Sequence, residues 1–188
     1  MFDIENSADY YAMLVADFDD FMEEPQSARR AIHCAITACH LAEWVWHDWL
    51  KKCDEVKTKL GITNEKAFFE YLNNHVWLKV LREIANGSKH FKRQTYHTQL
   101  VKGYGVGPYG VGPYGRGYLM IDLGATEEVE IDDSLAEIDD PDAEIDEASE
   151  TRYLAAADLL EVVVRFWRDF FRIYRPDVTV EPSKHHTL

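Results

Sequence analysis

Three histidines recur at intervals of seven, His33, His40 and His47. On a helix a seven-residue step drifts by only about 20°, so all three belong to one stripe. His40, Glu43 and His47 stand at i, i+3 and i+7. Imidazole and carboxylate converging from one helix face are a donor set for zinc or iron. Metal sites in helical bundles usually draw such donors from two or more helices, often with a repeated Glu-x-x-His pair. Here the order is His-x-x-Glu, it occurs once, and no second helix repeats it. The same stripe, His33, His40, Glu43, Trp44 and His47 with Thr37 and Lys51, therefore also reads as a face for a protein partner or a second copy, or as a plain solvated face.

A second candidate cluster lies in Leu81-Arg82-Glu83-Ile84-Ala85-Asn86-Gly87-Ser88-Lys89-His90-Phe91. Arg82, Asn86 and Lys89 share one helix face, with His90 at its edge. These types could stabilise a phosphate and move a proton, with His90 or the later His97 as general acid or base. The structural reading of Lys89 and His90 is a cationic C-terminal cap, favoured by the helix dipole by about 0.3–1 kcal/mol. Gly87 is the expected helix stop.

The elements that must position these residues follow from periodicity. Ser7, Asp9 and the apolar series Tyr11, Leu14, Val15, Phe18 and Phe21 predict a first helix capped at Ser7 and ending near Pro25. Ser27 opens a long second helix over 28–52, and Asn64 a third through Phe68, Phe69 and Tyr71. A fourth spans 75–87, and a last helix spans 150–174 with Tyr153, Ala156, Leu160, Val163, Trp167, Phe170 and Tyr174 on one stripe. On the second helix Ala31, Cys34, Ala35, Ala38, Leu41, Ala42, Val45, Trp46 and Trp49 form a wholly apolar side of mostly small residues, suited to close helix packing. Between the fourth and last helices the period changes to that of strands, at 91–101, 118–123 and 129–132. The expected fold is mainly α, a single domain over 1–188 built as a bundle of about five helices with an inserted antiparallel β-meander.

Two tandem repeats interrupt the meander, a Gly/Tyr/Pro pentad loop at 104–118 and an acidic heptad at 127–150. They read as a long hairpin loop and a solvated linker, or else as partner-binding inserts. The heptad segment holds 13 carboxylates and no base, which leaves 20 basic against 21 acidic residues elsewhere. The net charge of −14 is thus local to one segment. From Asp140 onward Ile145 stands where a calcium loop needs glycine, and Thr151 where it needs the bidentate acid.

Composition bounds the rest. A hydrophobic content of 46% in 188 residues suffices for a core. No apolar run approaches the roughly 20 residues of a membrane span, the start MFDIENSADYY lacks a basic leader region, and three cysteines without a CxxC pair read as reduced thiols. A cytoplasmic protein with no membrane association is expected. No GxxxxGK[ST] or GxGxxG opens a helix, the repeated GVGPYG is too proline-broken to cradle a phosphate, and no HExxH or GxSxG is present, so no cofactor is expected.

The fourth-helix exit, with Phe166-Trp167-Arg168-Asp169-Phe170-Phe171, resembles a broad set of uncharacterised bacterial helical proteins that carry an IANGSKH-like turn. More distantly, over 28–91 and 150–175, it resembles the HEPN-type helical domains of toxin–antitoxin and phage-defence systems. That resemblance implies either a non-catalytic interaction or regulatory module, or a metal-independent endoribonuclease acting through Arg82, Lys89, His90 and His97. The ribonucleases of that family set arginine four to six residues before histidine. Here seven residues separate Arg82 from His90 and three separate Arg93 from His97. The favoured expectation is a non-enzymatic module with a protein partner or a second copy. Nucleic acid enters only with the ribonuclease alternative, and a histidine-lined metal site is a further alternative.

Overall fold

The computed structural model describes residues 4–89, 96–102, 117–125 and 151–185. Their elements run α1 (Ser7–Glu23), α2 (Ala28–Asp48), a 3-10 turn (Leu50–Lys52), α3 (Asp54–Leu60), α4 (Glu65–Asn73), α5 (Val76–Lys89), β1 (His97–Val101), β2 (Tyr118–Ala125), β3 (Thr151–Ala155) and α6 (Ala156–Tyr174). A mainly helical bundle with a short β-meander is what the periodicity predicts. Among the described residues no helix is long and apolar enough to cross a membrane.

Local chemistry sets the ends of these elements. The cap of α1 is Asn6, not Ser7: its side chain accepts from the backbone N–H of Ala8 and Asp9, and the Asp9 carboxylate bonds back to the Asn6 N–H. Ser7 instead donates its N–H and Oγ–H to Asp48 Oδ2, at 3.1 and 2.8 Å, tying the start of α1 to the end of α2. Arg175, just beyond α6, reaches the same carboxylate at 3.9 Å and lies over the Trp49 ring. Ser27 caps α2 and Asn64 caps α4, as expected. The second helix ends at Asp48 and the chain tightens into the 3-10 turn. The short α3, which the apolar pattern does not reveal, stops at Gly61, whose φ of 67° is the left-handed conformation of a helix C-terminus.

Helix α2 is the centre of the bundle. Cys34, Ala35, Ala38, Leu41, Ala42, Val45, Trp46 and Trp49 are buried, and α1, α5 and α6 all pack on it. An aromatic ladder then joins α2 to α4 and α6: Trp46 to Phe68 at 5.9 Å, Phe68 to Phe170 at 6.1 Å, and Phe170 to Trp49 at 6.3 Å. Tyr11 of α1 meets Phe171 of α6 at 5.5 Å. Each such pair adds to what its burial contributes.

The sheet has the order β1-β2-β3, antiparallel throughout. Side chains of β2 alternate as its pleat requires. Leu119 and Ile121 join the helical core, while Tyr118 and Met120 form a second cluster with Val101 and Ala155. The Leu119 N–H donates to the Pro25 carbonyl at 3.0 Å, which fastens the sheet to the α1–α2 connection.

Two expectations about element bounds are corrected here. The third described strand is Thr151–Ala155, which periodicity assigns to the start of the last helix. Its β-formers Thr151 and Tyr153 pair with β2, and α6 begins only at Ala156. Gly87 does not stop the fourth helix, which continues to Lys89, with Ser88 Oγ donating to the Ala85 carbonyl. The strand expected at 129–132, the acidic heptad and all but the last two residues of the pentad loop lie outside the described residues.

Phe171 is fully buried, so Phe171→Ala should lower unfolding free energy by about 3–5 kcal/mol. Ile173, two residues on, is 65% exposed, and Ile173→Ala should change it by less than about 0.5 kcal/mol. Urea unfolding of both variants checks the register of α6; equal losses would contradict it.

Candidate functional site

The two clusters that the sequence keeps apart meet in space. A cavity of about 350 Å³ lies between α2 and α5, with α4 closing one side and Trp167 of α6 in its lining. His40 and Glu43 enter it from α2, Arg82 and Asn86 from α5, and Asn73 from α4. The rest of the lining includes Ile36, Ala38, Ala42, Leu78, Leu81 and Ala85. The result is an apolar cleft with a few convergent polar groups, the usual composition of a small-ligand site.

The polar groups are positioned by identifiable contacts. Arg82 Nη1 donates to Asn73 Oδ1 at 2.7 Å, and its guanidinium carbon stands 5.8 Å from the Phe69 ring centre. Both holders belong to α4, so that helix fixes how Arg82 is presented. Arg82 and Asn86 are one helical turn apart and share a face. His75 sets the α4–α5 connection: its ring packs on Tyr71 at 5.2 Å and Phe166 at 4.9 Å, and burial lowers its pKa below the ordinary 6.5. Trp167 contributes an indole N–H that, like those of Trp49 and the Tyr11 hydroxyl, is buried without a hydrogen-bond partner among the described residues.

The histidine stripe of α2 is divided among different neighbours. Thr37, expected on the polar face, is buried and donates to Asp17 Oδ2 of α1 at 2.6 Å. Trp44 stacks on Tyr10 of α1 at 4.9 Å, so it packs two helices together. Burial raises the Tyr10 pKa, helped by the charges of Asp17 and Glu43. His47 Nε2 lies 3.5 Å from Glu65 of α4, and His33 is exposed. Among the described residues no three His, Cys, Asp or Glu side chains come together to hold a metal ion. His40, Glu43 and His47 are therefore not assembled as ligands. Cys34 is buried and its thiol pKa is pushed up by burial, the opposite of a reactive thiolate.

The residues of the ribonuclease alternative are placed as follows. Arg82 lines the α2–α5 cleft. His97, on β1, lines a separate hollow of about 340 Å³ with Glu83, Ser88 and Tyr96. Lys89 is the last residue of α5, seven positions from Arg82 on an unbroken helix, about 10 Å along its axis. His90 lies outside the described residues. Sequence reasoning missed Asn73 and Phe69 as the holders of Arg82. The one available signal was the short connection between α4 and α5, which forces neighbouring helices into contact.

In comparisons with protein-family models, curated proteins and solved structures, nothing matches this chain.

A histidine that folding holds below its unfolded pKa binds fewer protons folded than unfolded. Its contribution to stability is then full above the unfolded value and is lost as pH falls through about 6.5. The thermal stability of the wild type should fall on acidification from about pH 7 to pH 5, and that of His75→Phe should fall less over that window. Parallel pH profiles for the two proteins would contradict a buried neutral His75.

Proposed function

We propose that this chain is a cytoplasmic, non-enzymatic interaction or regulatory module of a bacterial or phage system, and that it takes its ligand in the α2–α5 cleft. The setting is suggested by the resemblance noted for the fourth-helix exit and α6. The single observation that carries the assignment is the convergence of His40, Glu43, Asn73, Arg82 and Asn86 over an apolar lining in one cavity. A general acid or base must reach the atom it protonates or deprotonates. Arg82 is held by Asn73 and Phe69, and His97 faces a different hollow, an arrangement suited to recognition more than to proton transfer. The exposed His33 and His47 of α2 mark the surface where a protein partner or a second copy would sense whether the cleft is filled. The runner-up is the HEPN-like ribonuclease, which needs Arg82 and His90 at one phosphate.

Incubation with labelled RNA separates the two. Purified protein should leave single-stranded and transfer RNA intact, and His90→Ala should change nothing in that assay. Cleavage that survives chelator and disappears in both Arg82→Ala and His90→Ala would establish the ribonuclease. A screen of small metabolites by thermal shift supplies the positive arm: at a hundredfold excess over Kd a cleft ligand should stabilise the fold by about 2.7 kcal/mol. Asn86→Trp, which fills the cleft mouth, should abolish that gain.

A further inference from the structure

Given the α2–α5 cleft as the ligand site, its charges narrow the class of ligand. Arg82 has five N–H donors in a rigid fork. One is taken by Asn73, the ring of Phe69 supports the guanidinium, and among the described residues no carboxylate pairs with it. Its other donors are available to an acceptor at the cleft, and a carboxylate is the group whose two oxygens suit that fork. Because Asn73 and Phe69 already hold the side chain, little ordering accompanies capture.

Glu43 lines the same cavity from α2 and makes no hydrogen bond or ion pair with any described residue. An unpaired carboxylate lining the cavity argues against a phosphate or a polyanion, which it would repel. A neutral apolar ligand would leave both charges facing it unmatched. A molecule carrying one anionic and one cationic group matches both. The same lining includes Ile36, Ala42, Leu78, Leu81 and Trp167, which asks for an apolar body. About 350 Å³ is at the small end of ligand pockets, a size for a metabolite and not for a folded partner.

We propose that the cleft binds a free α-amino acid with a large apolar side chain: the carboxylate bonds Arg82 with Asn86 beside it, the ammonium bonds Glu43, and the side chain lies on the apolar lining.

Isothermal titration calorimetry of the full chain tests this with ligands that need no mutation. L-phenylalanine and L-leucine should bind with one site per chain. N-acetyl-L-phenylalanine lacks the ammonium and L-phenylalanine amide lacks the carboxylate, so each should bind at least about tenfold more weakly. Arg82→Gln should erase the difference between the acid and its amide, and Glu43→Gln the difference between the free and the acetylated amine. Both residues are exposed, and circular dichroism checks that both variants fold. Equal binding of the acetylated analogue or of the amide overturns the amino-acid assignment while leaving the cleft as a ligand site. Binding of none of the four compounds overturns it as well. In that case a metabolite of another class whose binding Asn86→Trp blocks would keep the cleft, and a screen without any such compound would remove both.

Discussion

The close approach of neighbouring helices to α2 is the constraint from which the rest of this molecule follows. Ala35, Ala38 and Ala42 lie along its buried side, and they let α1, α5 and α6 pack on one central helix. Small residues at an interface bring backbones together, but they also fill little volume. Ala38 and Ala42 of α2 and Ala85 of α5 all line the cleft. The same side chains that permit packing thus leave a hollow where α2 and α5 part. Larger residues there would close the cavity and add core, so the cleft is a direct consequence of the alanine seam.

Around that seam the other elements act as holders. The aromatic ladder through Trp46, Phe68 and Phe170 fixes α4 against α2 and α6. With α4 fixed, Phe69 and Asn73 present Arg82 at the cleft mouth, and the chain turns at His75 to start α5. Ser7, Asp48 and Arg175 form a further clamp, where three helix termini meet on one carboxylate. The C-terminal segment adds a further tie, with Ser183 donating to Asp19 at 2.5 Å and Lys184 reaching Glu23 at 2.7 Å. The exposed Lys184–Glu23 ion pair contributes little alone, while the hydroxyls of the buried Ser7 and Ser183 each spend a donor on a carboxylate. Together they fix the order in which the helices lie.

Much of this is legible in the residues themselves. The apolar period of α1, α2 and α6 and the caps at Ser27 and Asn64 depend on neighbours a few positions away, which periodicity reads directly. Failures arose where distant partners decided the outcome. Ser7 looked like a cap because Asp48 is invisible from position 7. Thr37 looked solvated because Asp17 lies one helix away. Thr151–Ala155 fits a helical stripe as well as a strand, and only pairing with β2 separates the two. Gly87 is a frequent terminator, yet a glycine inside a helix costs only about 1 kcal/mol relative to alanine, which the packing of α5 outweighs. For the site, the individual residues His40, Glu43, Arg82 and Asn86 were singled out by type and spacing. That they line one cavity depends on how α5 lies against α2, and no local pattern encodes that.

The claim at the centre of this account is that α2 and α5 form a binding site for an apolar α-amino acid. Backbone amide chemical shifts, followed by NMR during titration with L-phenylalanine, test it most directly. The account predicts saturable shifts concentrated at 36–43 of α2, 69–73 of α4 and 78–86 of α5. Shifts centred instead on β1 and the hollow around His97, or a spectrum that does not change, would contradict it.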